Sequence, residues 1–215
     1  MRIVIDGGHG QIALLLSTRL ALAGRFPVGL IRNAAHAVDV AATGGESVVI
    51  DLESATVDEL SRVLAGADAV VFAAGAGPGS TAERKLTVDR DGAILLADAA
   101  QAAGVRRMIV ISAIGADDFD AASDDVFQIY LRAKSEADAH VRATDLDWTI
   151  VRPGGLTGDD PTGLIDAGET VPRGSISRAD VAAVVHELLE GQLAVHRQFE
   201  VVAGSTTVRE ALAGV

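Results

Sequence analysis

"IVIDGGHGQIALLL", residues 3–16, joins an apolar run to a cluster of glycines and then to a second apolar run. Ile3-Val4-Ile5 has the continuous, Val/Ile-rich character of a strand buried on both faces. Beyond the glycines, residues 11–23 place Ile12, Leu15, Leu16 and Leu20 at helical spacing, so a helix with one apolar face is expected. Between the two, Gly8-His9-Gly10-Gln11-Ile12-Ala13 satisfies G-x-G-x-x-G/A, and the same stretch from Gly7 satisfies G-x-x-G-x-x-A. A glycine turn that follows the first strand and opens a helix suits a dinucleotide. Gly10 lets the backbone approach a pyrophosphate, and the free amides and positive dipole end of the helix favour an anion. Ala13 stands where the last glycine is usual, and is small enough for the helix to pack close to the sheet. Gly7, Gly8, His9, Gly10, Gln11 and Ile12 are therefore expected cofactor-binding residues. Asp6, at the mouth of the turn, is expected to face away from the phosphate and bond backbone amides.

Outward from this turn, apolar runs at 28–32, 47–51, 69–74, 107–112, 147–152 and 198–202 alternate with helix-like stretches near 34–42, 56–65, 81–103, 123–143 and 178–190. Gly24 and Gly104 are expected helix stops, and Ser177 with Asp180 resembles a capping arrangement. The alternation predicts an α/β fold: a Rossmann-type, doubly wound parallel sheet in three layers, without a separate substrate domain. One domain spans 1–215, with short substrate-side elements in 153–215. Residues 153–176 read as the one long irregular loop, a length more often functional than idle.

Composition narrows the function. The chain has no cysteine, which excludes disulfides, thiolate metal sites and cysteine nucleophiles. Net charge is −12 and no Lys/Arg cluster is present, so no nucleic-acid partner is expected. No apolar run approaches the roughly 20 residues of a membrane span and no leader is visible, so a cytoplasmic protein without a membrane partner is expected. The five histidines are dispersed without metal-ligand spacing, so no metal is expected.

The second strand ends in Arg32-Asn33, where an acid usually holds the ribose 2′-OH of NAD. A guanidinium fork suits a 2′-phosphate, so NADP is expected in preference to NAD. Asp51, followed by Leu52, ends the third strand in position to contact adenine or to cap the next helix.

Tyr130-Leu131-Arg132-Ala133-Lys134 places the only tyrosine and one of two lysines four residues apart on one helical face. At random spacing that coincidence has odds of about one in a hundred. An ammonium beside the phenol is expected to lower its pKa, and to make it a general acid toward a carbonyl oxygen. Ser112 ends the fifth strand at the same carboxyl edge, where its hydroxyl is expected to bond the substrate oxygen.

With these residues in view, the chain resembles an atypical short-chain dehydrogenase/reductase. It is similar to the compact NAD(P)-binding proteins of the nitrogen-repression regulator (NmrA-like) and biliverdin/flavin reductase groups. The resemblance is carried by the glycine turn, Arg32, Asp51, "AAGAG" at 73–77, "VDRDG" at 88–92, "AGVRRMIVISAIGA" at 103–116, "YLRAK" at 130–134, "LDWTIVRPGGLT" at 146–157 and "SRADVA" at 177–182. It implies cofactor contacts from Ala74 and Gly75 and from Pro153 and Gly154, with Ser112 and Lys134 reaching the cofactor as well. It implies catalytic roles for Ser112, Tyr130 and Lys134, although the tyrosine is often missing or idle in this group. Asp117, Asp118, Asp120, Asp124 and Asp125, with Asp159, Asp160, Asp166 and Glu169, sit in two segments expected to border the site. They predict a small neutral or cationic substrate, such as a quinone, aldehyde or ketone. The expected protein is thus an NADP(H)-dependent oxidoreductase, a monomer or homodimer. A non-catalytic NAD(P)(H) sensor and an epimerase or dehydratase are the alternatives.

Overall fold

The expected strands form the centre of the molecule. In the computed structural model, which describes residues 1–215, they are β1 (Arg2–Asp6), β2 (Phe26–Ile31), β3 (Glu46–Val49), β4 (Ala69–Phe72), β5 (Arg107–Ile111) and β6 (Asp147–Pro153). The later segment holds β7 (Gly155–Thr157), β8 (Leu164–Gly168), β9 (Ser175–Ser177), β10 (Arg197–Ala203) and β11 (Thr206–Thr207). The main sheet runs β3-β2-β1-β4-β5-β6-β10-β8-β11. From β3 to β10 all neighbours are parallel; β8 and β11 add an antiparallel edge. The strand order reverses between β1 and β4, and a doubly wound sheet opens its ligand crevice at that reversal.

Two apolar cores sandwich the sheet. One packs α1 (Gln11–Leu22), α7 (Arg178–Gly191) and α8 (Val208–Ala213) against Ile3, Ile5, Val71, Ile109 and Val151. The other packs α3 (Val57–Leu64), α5 (Gly92–Ala102) and α6 (Val126–Arg142) against Val4, Val70, Phe72, Met108 and Ile150. Successive strand residues thus point into opposite cores, which is why these runs are apolar throughout rather than alternating. In α1 the buried stripe is Ala13, Leu16, Ser17 and Leu20, whereas Leu15 faces outward. Ala13 is fully buried, in keeping with close packing of α1 on the sheet.

Two departures matter for the site. The stretch 153–176, read as a loop, contains three short strands; β7 and β9 pair with each other, and β8 joins the main sheet. β8 turns only Ile165 fully inward, so it lacks the continuous apolar run of a parallel strand. The expected helix 81–103 is divided into α4 (Ala82–Arg84), a π-helical turn over Lys85–Asp91, and α5. α2 (Ala37–Ala42) covers the β2–β3 connection. Ser177 caps α7 as expected, its Oγ accepting from the Asp180 amide at 3.0 Å.

Candidate functional site

The glycine turn lies across the carboxyl ends of β1 and β2, and its sequence is set by backbone proximity. A Cβ on Gly8 would lie 2.5 Å from the Gly29 Cα, so turn and strand meet at backbone distance. Gly7 has φ +71°, and a Cβ there would lie 2.6 Å from the Ala74 Cα. Gly8→Ala is expected to cost about 2 kcal/mol of stability, because backbone rather than a side chain must give way. Urea unfolding at constant slope measures it; an unchanged midpoint contradicts the close approach. Gly10 caps α1 without a side-chain hydrogen bond, and the first turn holds no acid, so its leading amides are open to an anion.

Beside this helix end lies a cleft of about 360 Å³. Of the expected cofactor residues, Gly7, His9, Gly10, Arg32, Asp51, Leu52, Ala74 and Gly75 line it. Gly8 lies behind the turn, and Gln11 and Ile12 belong to α1. Asn33 is outside the cleft; its side chain accepts from the Ala35 amide at 3.0 Å and caps a short 3-10 turn. Pro153 ends β6 further along the edge, and Gly154 follows it where the Gly174 carbonyl leaves no room for a Cβ. The cleft also takes residues that the sequence reading missed, among them Asp6, His36, Glu53 and Arg84. Glu53 gathers that wall: Arg84 Nη2 reaches it at 2.8 Å, Thr87 donates at 2.7 Å, and Arg32 Nη1 stands 3.6 Å away. His9 stacks on His36 with ring centres 3.7 Å apart, and Asp51 accepts from the Glu53 amide.

Asp6 does not turn away from the cleft. It lines it, almost fully buried, and its pKa rises to about 7. Burial is the main cause; the Gly7 amide and Lys134 pull it down, and Asp51 adds to the rise.

The tyrosine, lysine and serine lie along the same sheet edge, but with different partners from those expected. Lys134 is 3% exposed, and its Nζ sits 3.4 Å from Asp89 Oδ1, which the π-helical turn delivers beneath it. Lys134 also donates to the Ile111 carbonyl at 3.3 Å and lies 5.9 Å from the Tyr130 ring centre. Burial works against its charge, but Tyr130, Asp89 and Asp138 outweigh it, and its pKa is raised. The expected fall in the Tyr130 pKa does not occur. Burial raises it and prevails over the pull of Lys134, with Asp89 and Asp138 adding to the rise. The phenol therefore keeps its proton at neutral pH.

Ser112 is buried, and its one hydroxyl proton goes to Asp138 Oδ2 at 2.7 Å, so it does not point that proton at the cleft. Asp138 in turn accepts from Arg152 Nε at 3.0 Å and Nη2 at 2.8 Å. Arg152 reaches on to Asp117 at 2.7 Å and holds that carboxyl down at about 2. Asp89, Asp138 and Arg152 carried no assignment from sequence. One signal did exist: residues 130, 134 and 138 repeat every four positions along one face of α6. Four of the nine acids in the two flanking segments are engaged within the protein. Asp117 pairs with Arg152, Asp120 accepts from the Ala122 amide, Asp125 caps α6 and Asp166 accepts from the Ser205 amide.

A family model described as NAD(P)H-binding matches residues 7–192. The uncharacterized sugar epimerase YhfK of Bacillus subtilis is 33% identical over 213 residues, covering 99% of each chain. A structure from Bacillus halodurans, named for the NAD-dependent epimerases/dehydratases, is 34% identical, covers 100% of both chains and has a TM-score of 0.92. The oxidoreductase ylbE of Lactococcus lactis is 30% identical with a TM-score of 0.87, over 100% of this chain and 96% of its own. No helix is long and apolar enough to cross a membrane.

Proposed function

The chain belongs to the NAD(P)H-binding family, and on that premise we propose that it is an NADP(H)-dependent oxidoreductase acting on a small carbonyl or quinone-type substrate. The observation that carries this reading is the buried Lys134–Asp89 pair beneath the only tyrosine, on the sheet edge that bears the dinucleotide cleft. A bare ligand-binding module has no need of a charged lysine buried beside a protonated phenol.

The cradle fits the cofactor. Open amides at the start of α1 would hold the pyrophosphate, and Gly7 and Gly10 leave it room. Arg32 and Arg84 would hold a 2′-phosphate. Glu53 is already bonded by Arg84 and Thr87, which leaves Arg32, 3.6 Å from it, the looser of the two cations. When bound, the reduced dinucleotide would supply a hydride to the carbonyl carbon. Tyr130 gives its proton to the carbonyl oxygen, so ketone or aldehyde becomes alcohol. Lys134 stabilises the phenolate left behind, and Asp89 holds Lys134 in place. Ser112 acts by position: its bond to Asp138 ties the end of β5 to the face of α6 that carries Tyr130 and Lys134.

Arg32→Ala is expected to weaken NADPH binding about tenfold, as the loss of a charged hydrogen bond would, and to leave NADH binding unchanged. Titration calorimetry measures both. Equal wild-type affinities for the two cofactors would overturn the NADP preference.

Epimerisation by transient oxidation is the second reading, favoured by the names of the Bacillus subtilis and Bacillus halodurans relatives. It would use the same tyrosine and lysine but consume no cofactor. An assay of absorbance at the reduced nicotinamide band across carbonyl, quinone and sugar substrates separates the two. Stoichiometric loss of NADPH supports the reductase; sugar conversion supplied with NAD(P)⁺, with no net build-up of the reduced nicotinamide, supports the epimerase.

A further inference from the structure

Tyr130 also walls a second pocket, of about 570 Å³, with Gly79, Ser80, Lys85, Val126 and Phe127. Its floor is apolar and uncovered: Phe127 is 57% exposed and Val126 41% exposed, both in the first turn of α6. The Phe127 and Tyr130 ring centres are 6.0 Å apart, so the two rings offer adjoining surface to a flat ligand.

The only charged side chain in the lining is Lys85, the second of the two lysines in the chain. The π-helical turn lifts its Nζ to 5.1 Å from the Tyr130 ring centre, where it donates to the Gly77 carbonyl at 2.8 Å. An ammonium has three donors, so this bond leaves two. No carboxylate pairs with it, and three nearby ones are engaged elsewhere: Glu53 with Arg84 at 2.8 Å, Asp89 with Lys134 at 3.4 Å, and Asp125 with the Phe127 and Gln128 amides at 2.8 and 3.2 Å. Lys85 is thus a cation without an acidic partner, set at the rim of an apolar pocket against the proton donor. An open pocket with an apolar floor and one placed charge has the makings of a small-molecule site.

We propose that this pocket is the substrate subsite, and that it takes a planar, largely apolar carbonyl compound carrying one anionic group such as a carboxylate. Lys85 holds the anion, Phe127 takes the ring, and the carbonyl oxygen faces Tyr130. The proposal rests on the reductase reading for the role of Tyr130, but its charge preference is separate from turnover. It replaces the neutral or cationic substrate expected from the acidic segments, because none of their carboxylates lines this pocket.

The binding test uses dead-end ligands, and turnover by Tyr130→Phe is measured separately. With NADP⁺ in excess, 2-naphthoate and its neutral amide are titrated by calorimetry into wild type, Lys85→Met, Lys85→Arg and Phe127→Ala. Wild type is expected to bind the carboxylate about tenfold more tightly than the amide. Lys85→Met should bring the two within about twofold, Lys85→Arg should keep the preference, and Phe127→Ala should weaken both alike. Equal affinities in wild type, or a preference undiminished in Lys85→Met, would overturn the assignment. A charge preference that persists while Tyr130→Phe keeps full turnover would support the subsite and remove the proton-donor role.

Discussion

Tyr130→Phe is expected to lower turnover by about 10²- to 10⁴-fold while NADPH affinity stays within about twofold. The substitution removes one oxygen and leaves the ring, so the tilted packing against Phe127 and the contacts with both lysines survive. No hydrogen bond holds the phenol in place, and burial is the main influence on it; stability should therefore be unchanged or slightly raised. The cofactor cleft does not include Tyr130, which is why binding and rate should separate. The raised phenol pKa gives a second signature. At saturating NADPH, kcat for carbonyl reduction by wild type should be flat through neutral pH and fall only in alkali, since the acid form is the active one. Steady-state kinetics with calorimetry on the same preparations checks both. A Phe variant with undiminished kcat removes Tyr130 from the chemistry; a wild type that binds NADPH without turning over any substrate favours a sensor.

Asp6→Asn is expected to stabilise the protein at pH 8 by roughly 2 to 4 kcal/mol, with the gain vanishing below about pH 4. The folded pKa of about 7 lies above the ordinary 3.8, so the folded state keeps a proton that the unfolded state releases between those values. Stability contributed by this group is therefore complete below pH 4 and is lost as pH rises to 7. Above that, wild type must hold a buried charge with Asp51 beside it and only partial relief from Lys134 and the Gly7 amide. Asparagine has the same shape and no charge to bury. Chemical unfolding of both proteins from pH 4 to 8 gives the difference curve, and parallel curves would show that Asp6 is ordinary. Because Asp6 lines the cleft, an anionic cofactor meets the same charge. The variant should also bind NADPH more tightly at pH 8, and bind it alike at pH 5.

Much of this molecule was legible in local sequence because local physics set it. The central strands β1, β4, β5 and β6 carry apolar runs because both faces are covered, and Gly7 and Gly8 are demanded by the backbone of Ala74 and Gly29 close against the turn. The tyrosine–lysine spacing is a property of one helix, so periodicity alone could find it. β8 and β11 stayed hidden because strands with one buried residue or none carry no period of their own.

The sequence by itself determined the doubly wound sheet, the dinucleotide turn, and the spacing of the tyrosine and lysine on one helix. Only the tertiary structure decided the charge states and the partners. The proton of Ser112 goes to Asp138, twenty-six positions away in the chain, and Lys134 is balanced by Asp89 across a π-helical turn. Lysine beside tyrosine in a sequence reads as a lowered phenol pKa. In the fold, burial outweighs that attraction, because the cost of a buried charge depends on everything packed around it and not on its neighbours along one helix.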